Sequence, residues 1–186
     1  MTQLFIKSGG PQLSLQDFGR RGQFASGISV GGAADPLAVC EAAALLGVPL
    51  GASLEMAGHG GRFSFSQTCD VALTGAPMRA SVEERPLLWG AVHRIEVGAL
   101  LDIGAVEKGV YGYLTPRGGI LSQNILGSRS VQSSAGIGSA IASGDTFPVG
   151  GGTGSLVKLR QSDRFSGGLI RFVKGSQSHL FDADTF

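Results

Sequence analysis

Short runs of alternating or fully apolar residues recur along this chain, and glycine-bearing turns separate them at intervals of about ten residues. That spacing is typical of a β-sandwich or a β-barrel. The many glycines also favour such a fold, because tight turns and bulges use positive φ, which glycine adopts readily. We predict strands at RFSF (62–65), CDVALTG (69–75), VHRIEV (92–97), ALLDI (99–103), VYGYL (110–114), SLVKLR (155–160) and LIRFV (169–173).

The composition excludes several other classes of chain. Hydrophobic residues make up 42% and the formal net charge is +1, whereas a disordered chain has low hydrophobicity and high net charge. The 31 glycines follow no three-residue period, so the chain is not a collagen. A near-neutral chain has no electrostatic footprint for nucleic acid or an anionic membrane. We therefore expect small molecules or other proteins as partners.

One segment has the signals of a helix, and we predict it over 36–46. Asp35 is placed to cap the helix and Pro36 to occupy its first turn. Val39, Ala42, Ala43 and Leu46 recur at helical spacing and should share the buried face. Gly47 supplies the stop and Pro49 prevents continuation.

The cysteines and the chain start favour a cytoplasmic protein. Cys40 and Cys69 form neither a CxxC motif nor a metal-type spacing, so we predict reduced thiols and no metal site. The first residues lack the apolar core of a signal peptide. The most apolar stretch, 42–50, is far shorter than the roughly 18 residues of a membrane helix.

Two glycine-bearing segments concentrate polar side chains. In QDFGRRG (16–22), Arg20 or Arg21 could grip a carboxylate or phosphate while Asp17 orients one of them. In LGSRS (126–130), Arg129 stands between two hydroxyls, which suits an oxyanion. From spacing alone, we favour an ordinary surface loop for each segment, the first being held by an exposed ion pair.

Two further motifs leave alternatives open. Glu55 follows an apolar residue in SLEMAG and is either a general base or a capping acceptor. GISVG (27–31) matches the G-x-S-x-G nucleophile elbow, but that motif requires a parallel sheet, and we favour a glycine-rich turn. No G-x-x-x-x-G-K-[ST] occurs, so the chain carries no Walker-type ATP site of its own.

Taken in order, seven segments resemble the N-terminal half of the biotin-dependent carboxyltransferase family. That family includes the C-type subunit of 5-oxoprolinase, proteins labelled allophanate hydrolase subunit 2, and the carboxyltransferase part of urea carboxylase. The segments are LSLQDFGRRG (13–22), GISVGGAADPLA (27–38), ASLEMAG (52–58), ALTGAPMRA (72–80), YGYLTPRGGI (111–120), NILGSRS (124–130) and SGDTFPVG (143–150).

The resemblance implies a mainly β fold, a cyclophilin-like β-barrel with one short helix, in a protein that works within a complex. Its partners would be a second cyclophilin-like subunit and a lactam-acting subunit, and the complex would open 5-oxoproline to glutamate with ATP hydrolysis. An unactivated lactam resists water, and phosphorylation of its oxygen makes the ring carbon electrophilic. ATP would act through the complex rather than on this chain.

The resemblance also implies roles for individual residues. Arg20 and Arg129 would bind anions, Asp17 and Asp35 would position them, and Glu55 would make a polar contact. We place Asp17, Arg20, Glu55 and Arg129 in the catalytic set. The implied substrate-binding set is Gln16, Asp35, Ser128 and Ser130.

Two other functions are compatible with the same resemblance. The chain could be the carboxyltransferase component of a biotin-dependent carboxylase, with biotin on a partner because this chain lacks the biotinylated lysine motif. It could also be a non-catalytic regulatory protein that binds a cyclophilin-like partner. LIRFVKGSQSHLF (169–181) resembles the opening of a second half, so we expect a domain over 1–165 and, at 166–186, the start of a second half that is absent.

Overall fold

The computed structural model of the protein describes residues 1–160, 163–169 and 171–185. Within them, one α-helix, α1, spans Pro36–Leu46. The strands are β1 (Gln3–Gly9), β2 (Leu13–Gln16), β3 (Ser53–Ala57), β4 (His59–Phe65), β5 (Cys69–Gly75), β6 (Met78–Val82), β7 (Arg85–Pro86), β8 (Ala91–Ile95), β9 (Leu101–Val106), β10 (Tyr111–Pro116) and β11 (Thr146–Pro148). Single turns of 3-10 helix lie at Phe24–Ser26, Ser133–Ala135, Ser178–Leu180 and Ala183–Thr185.

The strands form two antiparallel sheets. The six-stranded sheet has the order β11-β1-β4-β9-β6-β7, and the five-stranded sheet has the order β2-β3-β10-β5-β8. Consecutive strands such as β1 and β2, or β3 and β4, lie in different sheets, so the chain passes repeatedly from one sheet to the other. The predicted mainly β fold with one helix is confirmed.

One hydrophobic core is shared by the two sheets. Leu4, Ile6 and Phe63 enter it from the six-stranded sheet, and Leu54 and Leu73 enter it from the five-stranded sheet. All five side chains are almost completely buried. Each such side chain contributes about 1.5–3 kcal/mol relative to its exposed state, which is why these short strands hold together.

Strand β5 is buried on both faces, because the other sheet covers one and α1 covers the other. Val71 and Leu73 point into the shared core, whereas Ala72 packs with buried residues of α1. Thr74 Oγ1 donates a hydrogen bond to the carbonyl of Ala38 at 2.9 Å. The complete burial of β5, including its apolar centre at 71–73, is therefore the result of cover on both sides.

The predicted helix has the bounds that its end signals indicated. The Asp35 carboxylate accepts from the amide of Ala38 at 3.3 Å, and Gly47 ends the helix in the left-handed region at φ 63°. Ala43 is only half-buried, in contrast to the prediction. The buried face of α1 includes Leu45, which was not predicted, and Ala43 lies at the edge of that face. The buried residues of α1 are Ala38, Val39, Ala42, Leu45 and Leu46.

The strand predictions had mixed outcomes. The predicted bounds of β5 are confirmed, and the predictions around β4, β8, β9 and β10 overlap the observed strands. The prediction at 155–160 is wrong, because that segment lies along α1 and the amide of Val157 donates to the carbonyl of Leu45 at 3.0 Å. At 169–173, residue 170 falls outside the described residues and the other four are not in a strand. No helix in the described ranges is long and apolar enough to cross a membrane.

Candidate functional site

Two glycine-bearing loops pack backbone against backbone beside the end of β2. Gly19 has φ +77°, and a Cβ there would lie 2.3 Å from the carbonyl oxygen of Val30. Gly32 has φ +88°, and a Cβ there would lie 2.7 Å from the amide nitrogen of Gly19. Both positions therefore require glycine, for conformation and for space. The close approach fixes the path of the chain through Asp17 and Arg20.

Asp17 is the centre of a hydrogen-bond network that joins this loop to the segment around residue 129. Its Oδ1 accepts from the amide of Gly19 at 2.8 Å, from Ser128 Oγ at 2.6 Å and from Ser130 Oγ. Its Oδ2 accepts from the amide of Arg129 at 2.7 Å. Ser130 Oγ also accepts from the Asp17 amide at 2.8 Å. Both carboxylate oxygens are thus engaged in holding the 128–130 backbone.

The same network keeps Asp17 ionised. Partial burial raises the pKa of this carboxyl, but the hydroxyls of Ser128 and Ser130 and the amides of Arg129 and Gly19 outweigh it. The net pKa lies below the usual value of an aspartate. Both oxygens of this ionised carboxylate already accept hydrogen bonds from the four donors.

A tight turn presents Ser128 and Arg129 to this network. Ile125 and Ser128 exchange backbone hydrogen bonds of 2.8 and 3.2 Å around Leu126 and Gly127. Leu126 has φ 54° and Gly127 has φ 83°, the pair of positive φ values that a type I′ turn requires. Leucine is an unusual residue at such a position, so the turn holds local strain beside the site.

Arg20 is buried within the structure, with only 1% of its surface exposed. Its Nε donates to the carbonyl of Ile125 at 3.1 Å and its Nη2 donates to the carbonyl of Ser130 at 2.5 Å. Nη1 is buried and has no hydrogen-bond partner. The sequence-based expectation that Asp17 orients an arginine of this segment is not met, because two backbone carbonyls hold Arg20.

Arg129 lies between two cavities of about 320 and 260 Å³ and lines both. Its Nη1 donates to the carbonyl of Ser122, and its backbone amide is the group that Asp17 holds. Of the predicted site residues, Arg20 and Ser130 also line the larger cavity and Asp17 lines the smaller one. The structure therefore brings together the two segments that the sequence singled out separately.

Gln16 and Ser29 contribute at the periphery. The Gln16 amide donates to Ser14 Oγ at 3.1 Å and to the carbonyl of Val131 at 3.2 Å, while its buried Oε1 has no partner. Ser29, the serine of the G-x-S-x-G motif, is exposed and accepts from Gln132 Nε2 at 2.7 Å. The motif lies outside any strand, as expected for a glycine-rich turn.

Glu55 and Asp35 belong to a second cluster, at the start of α1. Glu55 Oε2 accepts from the amide of Ala34 at 2.8 Å and from the hydroxyl of Tyr113 at 2.6 Å. That hydroxyl in turn accepts from the amide of Asp35 at 2.8 Å. Burial, and then the hydrogen bond to Glu55, raise the pKa of Tyr113 far above its usual value. Glu55 thus holds the backbone that leads into α1. This contact agrees with the capping acceptor rather than the general base, the two roles that the sequence left open for Glu55.

Arg164 joins the same cluster from the C-terminal segment. Its guanidinium contacts the carboxylates of Asp35 and, at 3.0 Å, Glu41. Tyr113 and Arg164 were not among the predicted residues. Tyr113 lies inside YGYLTPRGGI, one of the segments that carried the family resemblance, so the signal for it was present.

Comparison with known proteins assigns the chain to a family. The family described as carboxyltransferase domain, subdomain A and B, matches residues 26–186. This chain belongs to the carboxyltransferase domain family. The resemblance inferred from the motifs is therefore confirmed over most of the chain.

Two curated relatives of this carboxyltransferase-family chain are both named as the C-type subunit of 5-oxoprolinase. The chain is 30% identical over 185 residues to that protein of Escherichia coli and 32% identical over 129 residues to that of Haemophilus influenzae. These alignments cover 96% and 67% of this chain, but only 60% and 41% of the relatives. The chain thus matches about half of the length of these proteins.

The fold also matches solved structures. The urea carboxylase of Kluyveromyces lactis superposes with a TM-score of 0.76 at 24% identity, over 84% of this chain and 15% of that protein. The K. lactis urea amidolyase gives a TM-score of 0.77 over 84% of this chain and 10% of that protein. At this identity the likeness concerns the fold alone.

Proposed function

We propose that this chain works in the cytoplasm as a subunit of an ATP-dependent 5-oxoprolinase-type complex and is inactive alone. The observation that carries the proposal is its similarity to two proteins named as subunits of 5-oxoprolinase. The word subunit in those names favours an assembly. The partners would be a cyclophilin-like subunit and a lactam-acting subunit, and the reaction would open 5-oxoproline to glutamate.

Within that assembly, Arg129 is the residue that we assign to anion contact. It lines both cavities beside the Asp17 network, and the Asp17 carboxylate holds its backbone amide. Asp17, Ser128 and Ser130 act as positioning residues, because their polar atoms are already used to hold the turn. A fixed guanidinium suits a carboxylate or phosphoryl group, since it offers planar paired donors.

ATP would bind elsewhere in the complex. The sequence has no G-x-x-x-x-G-K-[ST] motif to cradle phosphates. This chain would therefore contribute a wall of the site and contacts to the substrate, while a partner supplies the nucleotide.

A biotin-dependent carboxyltransferase is the second candidate function. The description of the matched family as a carboxyltransferase domain favours it. In that case a partner would bring biotin, and the complex would respond to biotin carboxylation rather than to 5-oxoproline. A regulatory protein without catalysis would bind its cyclophilin-like partner and respond to neither.

Purification of the tagged chain from its native cell, followed by an ATPase assay, tests the proposal. We expect the two partners to co-purify and 5-oxoproline to stimulate ATP hydrolysis. Arg129→Ala should reduce that stimulation at least tenfold, whereas Arg21→Ala, which removes a neighbouring exposed guanidinium, should leave it unchanged. Recovery of a biotin carboxylase, or of a partner without any 5-oxoproline response, would overturn the proposal.

A further inference from the structure

Arg20 borders the larger cavity, but a ligand in that cavity cannot reach its guanidinium group. Only 1% of the residue is exposed, and Nη1 is buried. The other two nitrogens, Nε and Nη2, already donate to the carbonyls of Ile125 and Ser130, at 3.1 and 2.5 Å. Any contribution of Arg20 to the site therefore comes from the part of the protein that it holds in place.

The two carbonyls flank the residue that we assign to anion contact. Ile125 and Ser130 stand at the two ends of the segment 125–130, which makes a tight turn and carries Arg129. Nε and Nη2 lie along one edge of a planar guanidinium group, so together they fix both the spacing and the direction of two acceptors. A lysine offers one ammonium group on a flexible stem and cannot impose the same geometry.

Asp17 and Arg20 hold groups of opposite polarity in this segment. The Asp17 carboxylate binds its donors, among them the Arg129 amide at 2.7 Å, whereas Arg20 binds its carbonyls. Ser130 is held on both sides, because its hydroxyl donates to Asp17 and its carbonyl accepts from Arg20. Within the described ranges Arg20 forms no direct ion pair, so Ser130 connects the buried cation to a carboxylate. Hydrogen bonds to charged groups are stronger than those between neutral groups, which makes this an effective hold.

The turn requires a hold of this kind because its backbone is strained. Leu126 has φ 54°, a conformation that residues other than glycine rarely adopt, and such strain persists only where the surrounding structure over-determines it. The backbone of Arg20 is itself fixed, since its amide donates to the carbonyl of Val30 at 2.7 Å, in the loop that packs against Gly19. The guanidinium group therefore extends from a fixed backbone to both ends of the turn.

We propose that Arg20 is a positioning residue for Arg129. Arg20 holds the carbonyls of the segment and Asp17 holds its amide and hydroxyl donors, and together they place the Arg129 guanidinium group between the two cavities. A group that is already fixed binds an anion without first losing the freedom of a mobile loop, so this arrangement strengthens binding. The arrangement is a property of this chain, and only its effect on turnover rests on the proposed function.

Backbone order parameters of the folded chain, measured by nuclear magnetic resonance relaxation, test the arrangement. In Arg20→Lys, which keeps the charge but loses the paired donors, we expect the order parameters over 125–130 to fall from about 0.85 to below about 0.6, while that of Leu73 in β5 remains at about 0.85. Arg21→Lys alters an exposed neighbour and should change neither. A loss of global stability alone does not lower order parameters in the folded state, so a segment that stays rigid in folded Arg20→Lys would overturn the proposal.

Asp17→Asn tests the same arrangement without altering Arg20. An asparagine nitrogen in place of Oδ2 cannot accept from the Arg129 amide, but Arg20 remains on the carbonyl of Ile125. We therefore expect the order parameter of Arg129 to fall while Ile125 stays as rigid as in the parent chain. Equal loosening of both residues would mean that Arg20 does not hold its end of the turn. This result decides the matter even if Arg20→Lys fails to fold.

Turnover by the assembled complex tests whether Arg20 acts through Arg129. We expect Arg20→Lys to lower kcat/KM for 5-oxoproline about tenfold in the parent chain but less than about twofold in Arg129→Ala, because a positioning residue has no effect once the residue that it positions is gone. A residue that only stabilises the fold, or that acts on the substrate by itself, would lower kcat/KM equally in both backgrounds. That outcome would overturn the proposal.

The two proposals fail separately. If the turn loosens as expected but the complex ignores 5-oxoproline, the positioning of Arg129 stands and the proposed function is wrong. If the complex hydrolyses ATP in response to 5-oxoproline but the turn stays rigid in Arg20→Lys, Arg20 is not a positioning residue and the proposed function stands.

Discussion

Asp17 and Ser130 hold each other by two hydrogen bonds in opposite directions. The Asp17 amide donates to Ser130 Oγ at 2.8 Å, and the same hydroxyl donates to the Asp17 carboxylate. The two residues lie 113 positions apart in the chain. This reciprocal contact joins the loop after β2 to the turn that carries Arg129, and it makes Asp17 central to the site.

Replacement of Asp17 by Asn should reduce the free energy of unfolding at pH 7 by about 2 kcal/mol, because an amide nitrogen cannot accept from the Arg129 backbone. Urea unfolding measures this. Asp102→Asn is the matched control, since Asp102 pairs with the exposed Arg62 and should change stability by less than about 0.5 kcal/mol.

The cost of Asp17→Asn should also depend on pH. The folded pKa of Asp17 lies below its unfolded value, so its ionisation stabilises the protein above the unfolded pKa. That contribution is lost as the pH falls through the folded pKa. The difference between parent and variant should therefore shrink below about pH 4. A constant difference from pH 7 to pH 3 would contradict the assigned network.

Leu126→Asn should stabilise the protein by about 0.5–1 kcal/mol, because asparagine tolerates the positive φ of this turn better than leucine does. Leu50→Asn is the control for the change in polarity: the two leucines are 49% and 53% exposed, and Leu50 does not have a positive φ. Thermal or urea unfolding of the pair compares them. Equal effects would mean that the turn holds no strain.

Glu55→Gln should preserve both the fold and activity in the assembled complex within about threefold, because a glutamine oxygen can accept from Ala34 and Tyr113 as the carboxylate does. Glu55→Ala should cost about 1–3 kcal/mol of stability, because the buried Tyr113 hydroxyl loses its acceptor. A loss of activity of about 10²–10⁴-fold in Glu55→Gln, without a change in stability, would restore the general-base alternative.

Cys69 should resist alkylation in the folded protein. Burial, assisted by the charge of Asp70 and opposed by a hydrogen bond from the Arg117 backbone, raises the pKa of its thiol to about 11. At pH 8 its thiolate fraction is then about 100-fold below that of an ordinary thiol. Mass spectrometry after timed alkylation measures this, with the half-buried Cys40 as internal control. Comparable rates at both sites would contradict the burial.

The raised pKa of Cys69 also has a consequence for stability. The folded state holds this proton more tightly than the unfolded chain, so stability is unaffected below pH 9 and falls as the pH rises from 9 towards 11. Cys69→Ala should remove that part of the decline. If stability declined between pH 9 and 11 to the same extent in Cys69→Ala and in the parent chain, the raised pKa of Cys69 would be contradicted.

The elements with local signals were the predictable ones. Asp35, Pro36 and Gly47 lie next to the helix that they delimit, and α1 has the predicted bounds. The run at 155–160 has equally local β character, but it lies along α1 instead of joining a sheet. A strand needs a partner edge, and the sequence of one segment does not contain that information.

The sequence named four residues that the structure brings together, but it did not predict how they contact one another. Asp17, Ser128, Ser130 and Arg20 were all named, yet the expected contact of Asp17 with an arginine side chain is replaced by contacts with hydroxyls and amides. The acceptors of Arg20 lie 105 and 110 residues away. Only the closure of the two sheets determines which groups meet.

The distance along the chain between Arg20 and its acceptors has a consequence for synthesis. A growing chain that has reached Pro116 already contains β1 to β10, but neither Ile125 nor Ser130. Burial of the guanidinium at that stage would leave all of its donors without carbonyls, so the segment around it must remain in water. The buried guanidinium therefore requires that the loop around Arg20 stay open until residues 125–130 have left the ribosome.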